Sequence, residues 1–188
     1  MNPPSLSDRQ HIDAARRRLG ALAMAHLHTA TGADLEVAEA VPSDHDILFA
    51  AFRRIVDDGE GYPQAPPLLR SEFDEYWLAH KSAVLVARCD GGLAGSYYLK
   101  PNFPGRGAHI ANAGYFVVKE MRNRGIGEAL VRHSFDEARR LGFDALQYNL
   151  VFESNPARHL YERLGFNAVG RIPDAIDGEA AIVYHRRI

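Results

Sequence analysis

Residues Arg122-Asn123-Arg124-Gly125-Ile126-Gly127-Glu128-Ala129-Leu130 stand between an apolar, strand-like run and a long amphipathic helix pattern. Small residues at Gly125 and Gly127 let a ligand approach the backbone, and the first amides of a helix have no partners inside it. Together with the helix dipole, such a turn holds phosphate or pyrophosphate. Arg122 and Arg124 add charged donors at its rim. A Walker A loop carries Lys-Ser or Lys-Thr after its last glycine, and Glu128-Ala129 stand there instead. A dinucleotide fingerprint needs a small residue where Leu130 stands, and it follows a first strand rather than a fourth. The pattern Arg/Gln-x-x-Gly-x-Gly/Ala is met by Arg122, Gly125 and Gly127. On these residues alone, a plain glycine-rich turn is the alternative.

A second signal is a pair of asparagines inside strand patterns. Asn112 alternates with Gly114 and Phe116, and Asn149 with Gln147 and Val151, although strands disfavour asparagine. Each amide offers two uncharged N–H donors, which suits a carboxylate. The other reading is that each satisfies neighbouring backbone groups. His26 and His28 point to different sides of a helix pattern, which argues against a metal site there, and no metal is expected. Cys89, the single cysteine, excludes an intramolecular disulfide or a multi-cysteine zinc site and reads as a small buried hydrophobe. The runs Arg16-Arg17-Arg18 and Arg139-Arg140 read as solvated faces.

The elements that must position these groups follow from periodicity. Ile12, Ala15, Leu19, Leu22 and His26 predict a helix over residues 5–30 with Gly32 as its stop. It covers either the domain body or a second copy of the chain in a homodimer. A strand over Asp34–Ala40 precedes a helix with an apolar face of Ile47, Leu48, Ala51, Phe52, Ile55 and Val56. Gly59 to Pro67 is a loop, and a second helix runs from Ser71 to His80. A hairpin joins Ala83–Cys89 to Gly95–Leu99 through Asp90-Gly91-Gly92. Then come a strand over Ala108–Val118, a helix from Gly125 to Leu141, a strand over Ala145–Phe152 and a helix over Pro156–Leu164. Two strands near 166–172 and 180–187 close the chain. The order predicts one α/β domain with a mixed sheet of about seven strands and flanking helices.

Composition narrows the function classes. The chain has 188 residues, 46% of them hydrophobic and 24% charged, which is ordinary for a globular domain. Lys and Arg number 22 against 24 Asp and Glu, a net charge of −2 that gives no reason to expect nucleic acid or an anionic membrane as partner. No apolar run approaches the roughly 18 residues that span a bilayer. Asp8 and Asp13 interrupt any secretory pattern, and the arginines at 16–18 are the only hint of a transit peptide. A cytoplasmic protein is the expectation.

Downstream of the glycine turn lies a second motif, Asn155 to Phe166 (NPARHLYERLGF), between two strand patterns. With these two motifs at this separation, the chain resembles the GNAT superfamily of acyl-CoA-dependent N-acetyltransferases over roughly residues 35–188. The resemblance implies an N-terminal helical extension over 1–33 and an acyl-CoA N-acyltransferase domain over 34–188. It implies that the parallel strands before and after the long helix splay apart to admit acetyl-CoA. Backbone groups of Phe116, Val117 and Val118 would then hold the pantetheine arm. Arg122 with Arg124, Gly125, Ile126, Gly127, Glu128 and Ala129 would hold the pyrophosphate. Tyr161 matches the family tyrosine that protonates the departing thiolate; its other reading is packing against Leu160 and Leu164. Asn155 matches a position that bonds the cofactor arm, and it also suits a helix N-cap.

Within the superfamily, Gly61–Pro63, Tyr97–Tyr115 and Asn149–Asn155 look like the N-acetyltransferases that detoxify proline analogues such as azetidine-2-carboxylate. This implies a small amino or imino acid as acceptor, its carboxylate held by Asn112 and Asn149. Tyr62 would line the site from the loop between the first two helices, unless it is only a turn residue. The usual family carboxylate base is not evident, and Glu153, His109 and a water relay stand open. The alternatives are a CoA-binding sensor without turnover, or an acetyltransferase for a polyamine or a protein N-terminus.

Overall fold

The computed structural model describes residues 24–188. β1 (Ala25–His28) and β2 (Asp34–Glu39) pair antiparallel around a turn in which the Ala33 N–H donates to Thr29 Oγ1 at 2.9 Å. In β2, Leu35 and Val37 are buried while Asp34 and Glu36 are exposed, the alternation of a strand with one covered face. α1 (His45–Asp57) buries Leu48, Phe52, Ile55 and Val56, one stripe at helical spacing. α2 (Arg70–Phe73) continues as a π-helical turn, Asp74–Leu78, closed by a bond from the Ala79 N–H to the Asp74 carbonyl. β3 (Ala83–Cys89) and β4 (Gly92–Pro101) form a hairpin with Asp90 and Gly91 both at positive φ, the two-residue turn that matches strand twist.

β5 (Ile110–Val117), α3 (Ile126–Arg140) and β6 (Ala145–Phe152) make a parallel crossover unit. α4 (Ala157–Arg163), β7 (Asn167–Ile176) and β8 (Glu179–Arg187) follow. The strands form one sheet in the order β1-β2-β3-β4-β5-β6-β8-β7, and every pair except β5–β6 is antiparallel. One core lies between the sheet and α3, around Leu85, Tyr97, Leu99, Leu130, Phe135 and Leu146. The other lies between the sheet and α1 and α2, around Phe52, Phe73, Trp77, Val86, Tyr98 and Phe116. Cys89 is buried on β3 as expected of a small hydrophobe.

The sheet has eight strands where about seven were expected, and β1 is the addition. Ala25–His28 were expected to end an N-terminal helix, but they pair with β2 as an edge strand. A short segment with alternating polar residues is decided by its partner strand rather than by its own spacing. The rest of that predicted helix, and the arginines at 16–18, lie outside the described residues. On a strand, His26 and His28 share one exposed face, not opposite ones, and His28 bonds Asp34. Among the described residues, no cluster of three or more His, Cys, Asp or Glu is suited to a metal, and no helix is long and apolar enough to cross a membrane.

Candidate active site

β5 and β6 pair only at Ile110–Ala145, Ala111–Leu146 and Asn112–Gln147. Beyond Asn112 they diverge, so peptide groups from Ala113 to Val117 on β5 have no ladder partner on β6. A cleft of about 940 Å³ opens there. Phe116 and Val117 of β5, Gly127 of α3, Asn155 before α4 and Tyr161 of α4 line it, with Arg122 at its edge. Asn112, Asn149 and Tyr62 line it too, so the cleft gathers the predicted acceptor residues with part of the predicted cofactor set, while Val118, Arg124, Gly125, Ile126, Glu128 and Ala129 do not line it.

The glycine turn is built as a binding terminus. Gly125 sits at φ 71, a left-handed conformation that L side chains rarely adopt, and a Cβ there would stand 3.1 Å from the Thr29 Cβ. α3 begins with no side-chain cap, and its first internal bond is from the Ala129 N–H to the Gly125 carbonyl at 3.1 Å. The amides of Ile126, Gly127 and Glu128 are therefore unspent within the helix. A Cβ on Gly127 would meet only Val117 Cγ2 at 3.8 Å, so the residue leaves the cleft open at the helix start. These features fit a diphosphate.

Most other members of the predicted cofactor set have their side chains engaged elsewhere, and the Ala129 N–H is spent on the Gly125 carbonyl, so Ala129 has no donor to offer. Ile126 is buried in the core, Ala129 packs against the α3 side and Val118 against the α1 and α2 side. Glu128 pairs with Arg132 at 2.8 Å, and Arg124 lies against Met121 Sδ at 2.9 Å. Arg122 is held by Glu60 at 2.5 Å, a contact between the turn and the Gly59–Pro63 loop.

Aromatic rings surround the middle of the cleft. Tyr161 lies 4.7 Å from the Tyr148 ring and 5.9 Å from that of Phe166, and its hydroxyl has no hydrogen-bond partner among the described residues. Burial, first of all, pushes the Tyr161 hydroxyl pKa well above the usual phenol range. The Tyr115 hydroxyl, pushed up to about 12 by burial, lies 2.7 Å from Ser134 Oγ and 3.0 Å from the Tyr148 hydroxyl. Ser134 donates its one proton to the Val131 carbonyl. The directions follow: Tyr115 donates to Ser134, and Tyr148 donates to Tyr115. This chain stitches β5 and β6 to α3 and leaves Tyr161 outside it. Tyr62 donates to the Tyr115 carbonyl at 2.6 Å, which fixes the loop over β5.

The asparagines are partly engaged within the protein. Asn112 Nδ2 donates to the Gln147 carbonyl at 3.0 Å, and its Oδ1 accepts from the Tyr98 hydroxyl at 3.3 Å. Asn149 Nδ2 donates to Asn102 Oδ1 at 2.6 Å and its Oδ1 accepts from Gln147 Nε2. Each amide keeps one N–H beyond these bonds. Asn155 Oδ1 accepts from the Ala157 N–H at 2.9 Å, which makes it a helix-entry residue as well as a cleft residue. Glu153 turns to Arg171, whose bidentate bonds hold its carboxyl below the usual range, and His109 bonds the Arg106 carbonyl. Neither lines the cleft. Asp177 and Glu179, from the β7–β8 hairpin, bring carboxylates to its edge instead.

Sequence reasoning missed Glu60, Tyr76, Tyr98 and Lys100, all of which line the cleft. Alternation along β4 places Tyr98 and Lys100 on one face, but only the register with β5 shows that Asn112 and Gly114 lie beside them. Gly114 matters for packing, since a Cβ there would fall 2.6 Å from Tyr98 Cε1.

Comparison with known proteins bears on this geometry. The model of the Acetyltransferase (GNAT) family matches residues 46–166. The chain is 33% identical over 137 residues to the N-acetyltransferase aca1 of Schizosaccharomyces pombe, a match spanning 64% of this chain and 66% of that protein, just short of two thirds of either. A GCN5-related N-acetyltransferase from Kribbella flavida is 35% identical, with a TM-score of 0.76 over 82% of this chain and 98% of that one. A GNAT superfamily phosphinothricin acetyltransferase from Sinorhizobium meliloti, solved with AcCoA, shares the fold at 18% identity, with a TM-score of 0.72 over 82% of this chain and 88% of that one. A family model that spans both sides of the cleft, from α1 through α4, matches what the splayed strands and uncapped helix already indicate: the chain belongs to the acetyltransferase (GNAT) family.

Proposed function

We propose that this chain moves an acetyl group from acetyl-CoA to the amine of a small amino or imino acid, proline analogues included. The observation that carries the reading is the stretch of β5 left without a β6 partner, in one cleft with the uncapped start of α3 and the unpartnered Tyr161 hydroxyl. Acetyl-CoA supplies an activated acyl group when bound. The peptide groups of Phe116, Val117 and Val118 run along the arm of the cofactor. Arg122 and the amides from Arg124 to Glu128 take its diphosphate, the Ala129 N–H being spent on the Gly125 carbonyl, and the side-chain N–H groups of Asn155 serve the arm.

Tyr161 holds its proton at the hydroxyl and delivers it to the departing sulfur. A free thiol titrates at about 8.5 and a phenol at about 10, and burial raises the Tyr161 hydroxyl further, so the transfer is uphill in pKa and the hydroxyl acts first as a hydrogen-bond donor to the charge developing on sulfur. In the overall exchange a C–N bond forms and a C–S bond breaks. The amine gives a proton to solvent, and the sulfur takes one from Tyr161, which solvent restores.

The acceptor side is roofed by the Tyr62 loop, and Asn112 and Asn149 offer uncharged donors to a carboxylate. The test is an acceptor panel of azetidine-2-carboxylate, proline, primary amino acids, a polyamine and a short peptide, with N-acetyl products read by mass spectrometry. Small amino or imino acids are the expected substrates. Asn112→Ala and Asn149→Ala should each cut their kcat/KM by about ten- to a hundredfold, the loss of one hydrogen bond to a charged group, and leave acetyl-CoA affinity nearly unchanged. Preference for the polyamine or the peptide would contradict the reading.

A further inference from the structure

Two cations line the cleft, Arg122 and Lys100. Arg122 is matched by Glu60, whereas Lys100 forms no ion pair among the described residues. Lys100 stands opposite Asn112 in the β4–β5 ladder and follows Tyr98 by two positions, so all three share the face that α1 and α2 cover. The Tyr98 hydroxyl donates to Asn112 Oδ1, which ties these side chains into one corner of the cleft.

Two further polar groups, Lys81 and Asn102, are near Lys100 but do not line the cleft. The Lys81 ammonium lies 5.0 Å from the centroid of the Tyr98 ring and donates to the Ala79 carbonyl at 2.7 Å. Burial, then the charge of Lys100, brings the Lys81 pKa down to about 8. Asn102, two residues past Lys100, has a buried Nδ2 with no hydrogen-bond partner among the described residues, while its Oδ1 accepts from Asn149. A donor left unspent in a buried position is costly unless something occupies it. Glu60, Asp177 and Glu179 also line the cleft, but at this corner Lys100 stands beside the spare N–H of Asn112, with that of Asn149 in the same cleft, and together these suit an anion. A polyamine would meet repulsion there.

We infer that Lys100 is the specificity-determining residue for the acceptor, its ammonium pairing with the acceptor's carboxylate while Asn112 and Asn149 add neutral donors. This rests on the amino-acid reading above and sharpens it: the site selects an amine that carries a carboxylate and rejects the same amine without one.

The test separates the two claims by measuring binding apart from turnover. Protein saturated with CoA is titrated by calorimetry with proline, azetidine-2-carboxylate and pyrrolidine. The wild type should bind the two carboxylates at least about tenfold more tightly than pyrrolidine. Lys100→Met should weaken carboxylate binding by about ten- to a hundredfold, leave pyrrolidine within about twofold, and be partly rescued in Lys100→Arg. Unchanged acetyl-CoA affinity and thermal midpoint show that the variants are folded. Carboxylate binding unaltered in Lys100→Met, or absent from the wild type, overturns the inference. If carboxylates bind through Lys100 and no N-acetyl product forms, the anchor stands and the transferase reading falls. If product forms equally in Lys100→Met, the reading stands and the anchor falls.

Discussion

Tyr161 lies among Tyr148, Phe166 and Tyr184, with its hydroxyl free of the Tyr148–Tyr115–Ser134 chain beside it. Burial raises its pKa, so between pH 6 and 10 the hydroxyl stays protonated and no basic limb of the pH–rate profile belongs to it. Tyr161→Phe should lower kcat by about a hundredfold, by the same factor at pH 7 and pH 9.5, with acetyl-CoA affinity held. Steady-state kinetics at the two pH values check this, and a normal kcat would reduce Tyr161 to packing. Asn112 and Asn149 stood out in the sequence as asparagines within strand patterns, and Tyr161 and Asn155 only through the motif that carries the family resemblance. The hydrogen-bond partners of the two strand asparagines did not, because Gln147, Asn102 and Tyr98 reach them across strands whose register no local spacing encodes. Glu153 and His109 lie outside the cleft lining, each bonded to a neighbour that only the folded chain supplies.

At the scale of elements, the turn before α3 is tied to the end of α1. Arg54–Glu120, Lys119–Asp58 and Arg122–Glu60 form three ion pairs across that seam. Exposed pairs of this kind add little stability, so the consequence of Glu60 lies in what it does to Arg122. It competes with a diphosphate for the guanidinium, and it sits on the loop that carries Tyr62. Glu60→Gln should therefore tighten acetyl-CoA by about 1.5- to 5-fold without moving the thermal midpoint appreciably. Calorimetry with acetyl-CoA decides it, and weaker binding would show that Glu60 positions Arg122 rather than competing for it. α1, α3 and the β3–β4 hairpin could be read from periodicity and turn residues, although β4 runs Gly92–Pro101 where Gly95–Leu99 was expected. β1 and the π-helical turn at Asp74–Leu78 could not, because an edge strand is made by its partner, and an i to i+5 bond leaves the same apolar stripe as an ordinary helix end.

For the whole molecule, one eight-stranded sheet carries a core on each face, and the cleft forms where its single parallel pair comes apart. The composition signalled a globular domain with no strong field, and the element order an α/β one; the cleft agrees, since its cations Arg122 and Lys100 stand with the carboxylates Glu60, Asp177 and Glu179. The most direct test of the central claim is acetyl transfer through this cleft, followed as thiol released and N-acetyl product formed, in the wild type and in Gly127→Leu. A Cβ at Gly127 has room, but a leucine side chain would fill the helix start where the diphosphate must lie. The account predicts equal amounts of thiol and N-acetyl amino acid from the wild type, and loss of both with loss of acetyl-CoA binding in a folded Gly127→Leu. Undiminished acetyl-CoA affinity and turnover in that variant would contradict it.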